Sequence, residues 1–201
     1  MVARKKTSKR ISWRTVAVLF LCVSTLFGYL LYEFSPPQIH GRFTVSDVLD
    51  KELSAYVKSD SRFVGIQVAP MQLSRNTRYV SYTYIVPVEL RKLYSVFTQT
   101  YVSGTTPIFS NDTEIANMRM VRLINHEFVC TPYKETASYR YFPIGIAYVS
   151  TVCSVSIPAS YGHISGLLHI YIDSEPTALD KIIIQSRLKG LSEKIFLEMP
   201  H

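Results

Sequence analysis

Hydrophobic and polar positions alternate in three different ways along this chain of 201 residues. The first pattern is a continuous apolar run. Residues 15–32, TVAVLFLCVSTLFGYLLY, carry no charge, and Arg14 and Glu33 close the run on either side. As a helix rising about 1.5 Å per residue, it would extend about 27 Å, close to a hydrocarbon core of about 30 Å. Trp13 stands at one edge and Tyr29, Tyr32 and Phe34 at the other, where amphipathic aromatics favour the interface. The pattern predicts a membrane-spanning helix over 15–32. A cleaved signal peptide is the competing reading. Its apolar core is usually about 7–15 residues and ends in a small-x-small site. This run is longer and ends Gly-Tyr-Leu-Leu-Tyr-Glu-Phe.

The second pattern has helical spacing. Over 44–59, Val45, Val48, Leu49, Leu53, Tyr56 and Val57 share one face, while Asp47, Asp50, Lys51 and Glu52 fall away from it. Thr44 with Asp47, or Ser46 alone, supplies an N-cap. Over 176–197, Leu179, Ile182, Ile183, Leu191, Ile195 and Phe196 supply an apolar face behind a capping-box pattern at 177–180. Gly190 interrupts that helix, at about 1 kcal/mol relative to alanine. The third pattern is rich in β-branched and aromatic residues, which suit a pleated surface. It predicts strands at 62–68, 78–86, 93–102, 126–131, 144–155 and 163–172. Residues 114–125 fit either a short helix or irregular structure. Pro36 and Pro37 stop the first helix and open a linker, 33–43.

The order is a helix, then strands with little helix between them, then a closing helix. Such an order favours antiparallel pairing. The expected class is α+β: a single N-terminal membrane helix, then an antiparallel sheet flanked by helices in a PAS- or Cache-like style. The expected organisation is a basic tail (1–14), a span (15–32), a linker (33–43) and an exported domain (44–201).

Charge changes the picture through its distribution. The net charge is +7, but Arg4, Lys5, Lys6, Lys9, Arg10 and Arg14 supply six of those charges before the apolar run. The remainder is nearly neutral, so the basic balance describes a short tail and not a folded surface. That disfavours nucleic acid as a partner. Lys and Arg are retained on the cytoplasmic side of a span, which orients the tail inward and the larger domain outward, into the periplasm of a Gram-negative cell. Within the run, Ala17, Ser24 and Gly28 lie near one face, and Ser24-x-x-x-Gly28 is a small-xxx-small pattern that lets spans approach closely.

Candidate chemistry is sparse. No Gly-x-Gly-x-x-Gly, P-loop, His-Glu-x-x-His or Gly-x-Ser-x-Gly motif occurs. His126 and Cys130 stand four apart, a thiol–imidazole spacing on a helix and not on a strand. His163 and His169 share a strand face but lack a carboxylate or cysteine partner at ligand spacing. No catalytic residue, cofactor or metal site is therefore expected. Of the three cysteines, Cys22 lies in the apolar run, while Cys130 and Cys153 both fall on strand-like segments. An oxidising compartment would permit a Cys130–Cys153 bridge.

Several segments resemble the T-type holins of T-even-like bacteriophages. They are VSDVLDKELSAYVKS at 45–59, YVSYTYIVPVELRKLYSVFTQTYVSGTTP at 79–107, and Cys153, Tyr161 and Gly166 followed by LLHIYIDSEP and ALDKIIIQSRLKGL. The resemblance implies a non-enzymatic membrane protein of the host inner membrane. It would have a cytoplasmic N-terminus and a periplasmic domain that binds an antiholin. It would contact lipid, oligomerise into lesions, release endolysin and time host lysis. The family carries a longer cytoplasmic arm and places a second cysteine in its terminal helix, and this chain has neither. The alternative reading is a single-span periplasmic component of a type IV secretion system. A sensor ectodomain would call for a second span and an output domain.

Overall fold

The computed structural model describes residues 13, 20, 22–25, 43–101, 106–109, 114–136, 138–139 and 142–199, with the backbone alone at 96–101. The chain divides into two compact units, Met1–Gly41 and Arg42–His201. In the first unit the described residues are helical and exposed, and the Thr25 hydroxyl donates to the Cys22 carbonyl at 3.0 Å.

The expected membrane architecture is corrected here. Most of 15–32 lies outside the described residues, and so do Arg4, Lys5, Lys6, Lys9, Arg10, Arg14, Ala17 and Gly28. Ser24 is described and exposed. Among the described residues no helix is long and apolar enough to cross a membrane. The longest, at Ala178–Glu198, reaches 21 residues but carries Asp180, Lys181, Arg187, Lys189, Glu193, Lys194 and Glu198. Its apolar residues Ile184, Leu188, Leu191 and Ile195 are buried against the protein itself.

The second unit opens with helix α1, Asp47–Lys58. Ser46 is its N-cap, with the hydroxyl accepting from the Leu49 amide. Leu49, Leu53 and Val57, four apart, are buried. Strand β1 (Phe63–Gln72) follows, then the two-residue β2 (Thr77–Arg78) and β3 (Tyr82–Ile85). The single strand expected over 78–86 is thus broken. Tyr79 and Ser81 still donate amides to the Pro70 and Val68 carbonyls of β1, so the chain follows β1 with an irregular stretch between. Next come α2 (Val88–Tyr101), β4 (Thr106–Pro107), α3 (Glu114–Ile124), β5 (Val129–Pro132), β6 (Thr151–Ile157), β7 (Gly166–Ile172) and α4 (Ala178–Glu198).

Further expectations change. The strand expected over 144–155 begins only at Thr151, behind a 3-10 helix at Pro143–Ala147. Residues 93–101, within the strand expected over 93–102, form helix: Pro87 precedes the first turn, Glu89 sits within it, and Leu90 is buried while Tyr94, one turn on, packs edge-on against Phe142. Packing at helical spacing overrides a β-leaning composition. His126 is not in a strand either; it takes a left-handed conformation, φ 59°, just beyond α3.

All pairings in the sheet are antiparallel. The strand order is β4-β2-β1-β7-β6-β5, with β3 also pairing to β1. On one face α1 and α4 bury Ile66, Val68, Val155, Ile157, Leu168, Ile170 and Ile172 in the main core. Arg62 ties the N-terminus of α4 to the loop before β1, donating to Asp60 and to Asp180 at 2.7 and 3.1 Å. The Arg62 bonds, then those of Thr177, hold the Asp180 carboxyl well below the usual carboxylate range. At the other end, the Ser46 hydroxyl donates to Glu198, joining the start of α1 to the end of α4.

Cys130 and Cys153 face each other across β5 and β6 and are joined by a disulfide. The bridge closes a loop of sequence separation 23. Its reduction is expected to lower stability by about 3 kcal/mol through loop entropy, read as a shift in the urea midpoint. Gly190 continues the α4 helix, and a methyl group there would meet nothing within 4 Å. Gly190→Ala is therefore expected to raise stability by about 0.5–1 kcal/mol, measured by thermal or urea unfolding.

Candidate functional site

Because side chains on a strand alternate between faces, the residues between those of the main core point to the sheet's second face. There the composition changes. Two small apolar clusters cover it. One contains Met71, Ile108, Met120, Leu123, Val129, Ile164 and Leu167. The other contains Val64, Leu90, Tyr133, Val149 and Val152. A row of polar residues crosses the sheet at the same level: Thr83 on β3 faces Gln67 on β1, Gln67 faces His169 on β7, and His169 faces Ser154 on β6.

These groups are joined by hydrogen bonds. Gln67 Nε2 donates to the Tyr94 hydroxyl at 3.1 Å and to Thr83 Oγ1 at 3.4 Å. The Tyr171 hydroxyl donates to Gln67 Oε1 at 2.9 Å. Ser154 Oγ and His169 Nδ1 are 2.7 Å apart. Among the described residues, His169 Nε2 has no hydrogen-bond partner. Burial, joined by the nearby Arg78 charge, lowers the His169 pKa to about 3. Burial likewise pushes the hydroxyls of Tyr94, Tyr133 and Tyr171 up.

Over this row lies a cavity of about 90 Å³. Thr131, Val152, Ser154, Leu167 and His169 form its floor. Ala116, Arg119, Met120 and Leu123 of α3 roof it, with Ile108, and Arg78 also lines it. His169 is half-buried and lines this cavity. Arg119 reaches across to the short 3-10 turn Tyr133–Glu135, pairing with the Glu135 carboxylate and donating to its carbonyl. A larger cleft of about 500 Å³ runs along β5 toward the start of α4, with Lys134, Tyr148, Asp173, Glu175 and Lys181 among its walls. Neither Gln67, His169 nor Ser154 lines it.

The structure separates residues that sequence spacing placed together. His126 Nδ1 lies 3.1 Å from Ser156 Oγ and from the Pro158 carbonyl, not against Cys130. His163 is exposed before β7 begins, while His169 lies within the strand and lines the cavity. Among the described residues no group of three metal-ligating side chains occurs. Sequence reading missed Gln67, Ser154 and Arg119. The signal available was the alternation in LLHIYI, where His169 and Tyr171 interleave with Leu168, Ile170 and Ile172.

No family model and no curated protein matches the chain. Solved structures similar to it include the GAF domain of a two-component sensor histidine kinase from Bacillus halodurans. Its TM-score is 0.49 at 14% identity, covering 77% of this chain and 93% of that one. Another is a GAF domain/HD domain protein from Geobacter sulfurreducens, at 0.48 and 10%, covering 75% and 91%. A third is a type II free methionine-R-sulfoxide reductase from Thermoplasma acidophilum, at 0.46 and 8%, covering 76% and 92%. Scores and identities this low carry no argument about what the chain does.

The expected holin function, its secretion-system alternative and the single-pass inner-membrane placement are corrected. All three depended on a membrane-crossing helix, and among the described residues none qualifies. The expected PAS- or Cache-like style gives way to the strand order given above, in which β1 and β7 are central and β5 forms one edge.

The enclosure of His169 has a pH consequence. Its imidazole titrates near 6.5 when free and near 3 in the fold. Between those values the unfolded chain binds more protons, so stability is full above about pH 6.5 and is lost as pH falls toward 3. The slope from this residue reaches up to about 1.4 kcal/mol per pH unit. Urea midpoints at pH 7 and pH 5 should differ more in the parent protein than in His169→Gln. Equal losses would place the ring in solvent.

Proposed function

We propose that the Arg42–His201 unit is a small-molecule-binding domain, with the ligand held in the cavity between the polar row and α3. The observation that carries this reading is a cavity on the sheet's second face whose lining brings His169, Ser154 and Thr131 together with the apolar Met120, Leu123 and Leu167, with Gln67 beside His169 in the polar row. A polar side chain in such a setting is stabilising only when hydrogen-bonded. Apolar side chains would pack a purely structural layer without that requirement. Concave sites that combine apolar walls with a few convergent polar groups are the common form of ligand pockets.

The same geometry favours binding over proton-transfer catalysis. A general base works best with a pKa near the operating pH. His169 is held near 3, neutral at pH 7 and weakly basic. Its Nε2 is suited to a hydrogen bond with a bound molecule.

A collection of small polar compounds, screened by ligand-observed NMR and thermal shift, should return binders that compete with one another. Ala116→Leu fills the cavity from its roof and should abolish their binding while leaving the fold intact by circular dichroism. Binders that persist unchanged in Ala116→Leu would overturn the site.

A further inference from the structure

We infer that Cys130 is a thiol-exchange site: a zwitterionic low-molecular-weight thiol, of the amino-acid or short-peptide kind, enters the larger cleft and forms a mixed disulfide there. The site stands apart from the ligand cavity, so either can fail without the other.

Three observations converge on it. The first is access. Cys130 is half-buried and lines the cleft of about 500 Å³, whereas Cys153 is fully buried and does not line it. A cleft of that volume lies within the range of small-molecule sites.

The second is direction. A thiolate attacks a disulfide sulfur in line with the bond that breaks, from the side away from the leaving sulfur. Cys153 sits on β6 and Cys130 on β5, which follows β6 at the end of the strand order. The side of Cys130 away from Cys153 is therefore the sheet edge, which the cleft borders. The corresponding approach to Cys153 comes from β7, where Ile170 stands opposite it and is fully buried.

The third is charge. Lys134 and Lys181 wall the cleft together with Asp173 and Glu175. Among the described residues none of these four side chains forms an ion pair. Charges of both signs that are not spent on each other are complementary to a molecule that carries both. A thiol with carboxylate and ammonium groups meets the two kinds together, and an uncharged thiol meets neither.

In the exchange, the electron pair of the incoming thiolate forms the new S–S bond to Cys130. The Cys130–Cys153 bond breaks with its pair on Cys153. Cys153 takes up a proton from solvent, equal to the one the incoming thiol released, because an apolar core raises a thiol's pKa. The small thiol is oxidised and Cys153 is reduced. A second equivalent of thiol attacks the adduct, leaves as the small symmetrical disulfide and completes the reduction of Cys130.

Glutathione tests the site on the Cys22→Ser protein, since Cys22 is an exposed free thiol. After brief exposure and acid quenching, peptide mass spectrometry should find the adduct on Cys130 at least about tenfold more often than on Cys153. With Cys153→Ser added, and the fold checked by circular dichroism, oxidised glutathione should modify Cys130. With Cys130→Ser added instead, it should leave Cys153 untouched. Equal adduct on the two cysteines would overturn the site. Compared at equal thiolate concentration, glutathione should reduce the bridge at least about tenfold faster than uncharged 2-mercaptoethanol. Lys134→Gln combined with Lys181→Gln should remove most of that advantage and leave the 2-mercaptoethanol rate unchanged. Equal rates for the two thiols, with the adduct still confined to Cys130, would overturn the zwitterionic class and leave the exchange site standing.

Discussion

The pairing of β1 with β7 sets every other feature of the domain. These central strands run antiparallel in a register that places Ile66 opposite Ile170, Gln67 opposite His169 and Val68 opposite Leu168. Side chains repeat every second residue, so this register commits both faces at once. Turning Ile66, Val68, Leu168 and Ile170 toward α1 and α4 necessarily turns Gln67 and His169 away from them. A slip of β1 by one residue would turn the Gln67 amide toward the main core and turn Ile66 and Val68 away from it. The hydrophobic drive of one face thus fixes the chemistry of the other.

That coupling explains why the polar row is tolerated. Burying an amide or imidazole unpaired would destabilise the fold by about 1–3 kcal/mol for each group. Here Gln67 uses both ends of its amide, donating to Thr83 and Tyr94 and accepting from Tyr171. His169 satisfies one nitrogen against Ser154 and turns the other side of its ring to the void. The tyrosines then act less as bulk filler than as fixed donors and acceptors that hold the floor rigid. Rigid floors favour selective binding, because little side-chain freedom remains to be lost when a ligand arrives.

How much of this could be read from sequence depends on the element. The two helices on the core face announce themselves through spacing and caps: Leu49, Leu53 and Val57 behind Ser46, and the Thr177–Asp180 box ahead of α4. Helix α2 is hard to read, because LYSVFTQTY is composed like a strand, while in the fold Leu90 and Tyr94 pack at helical spacing against Val64, Tyr133 and Phe142. The apolar run at 15–32 was read for a membrane, and no described helix answers to that reading. The site was hardest to see. Gln67, His169 and Ser154 are 102 and 15 residues apart in consecutive steps, and only strand register brings them into one row. Spacing along the chain instead drew attention to His126 with Cys130 and to His163 with His169, which the fold separates.

The disulfide and the cavity share a strand, and this links oxidation to the geometry of the site. Among the described residues β5 is an edge strand that pairs with β6 and with no other strand. Cys130 points to the main-core face, where it packs against the buried cluster, and its bond to Cys153 clamps the strand. Its neighbours Val129 and Thr131 point the other way and line the cavity. The chain then runs directly into the 3-10 turn Tyr133–Glu135, whose Glu135 holds Arg119. An edge strand with one partner is the part of a sheet most free to fray. Pinning it covalently on the core face therefore steadies both the floor at Thr131 and the acidic partner of the roof arginine. The crosslink lies away from the void, yet the positions of two of its walls depend on it.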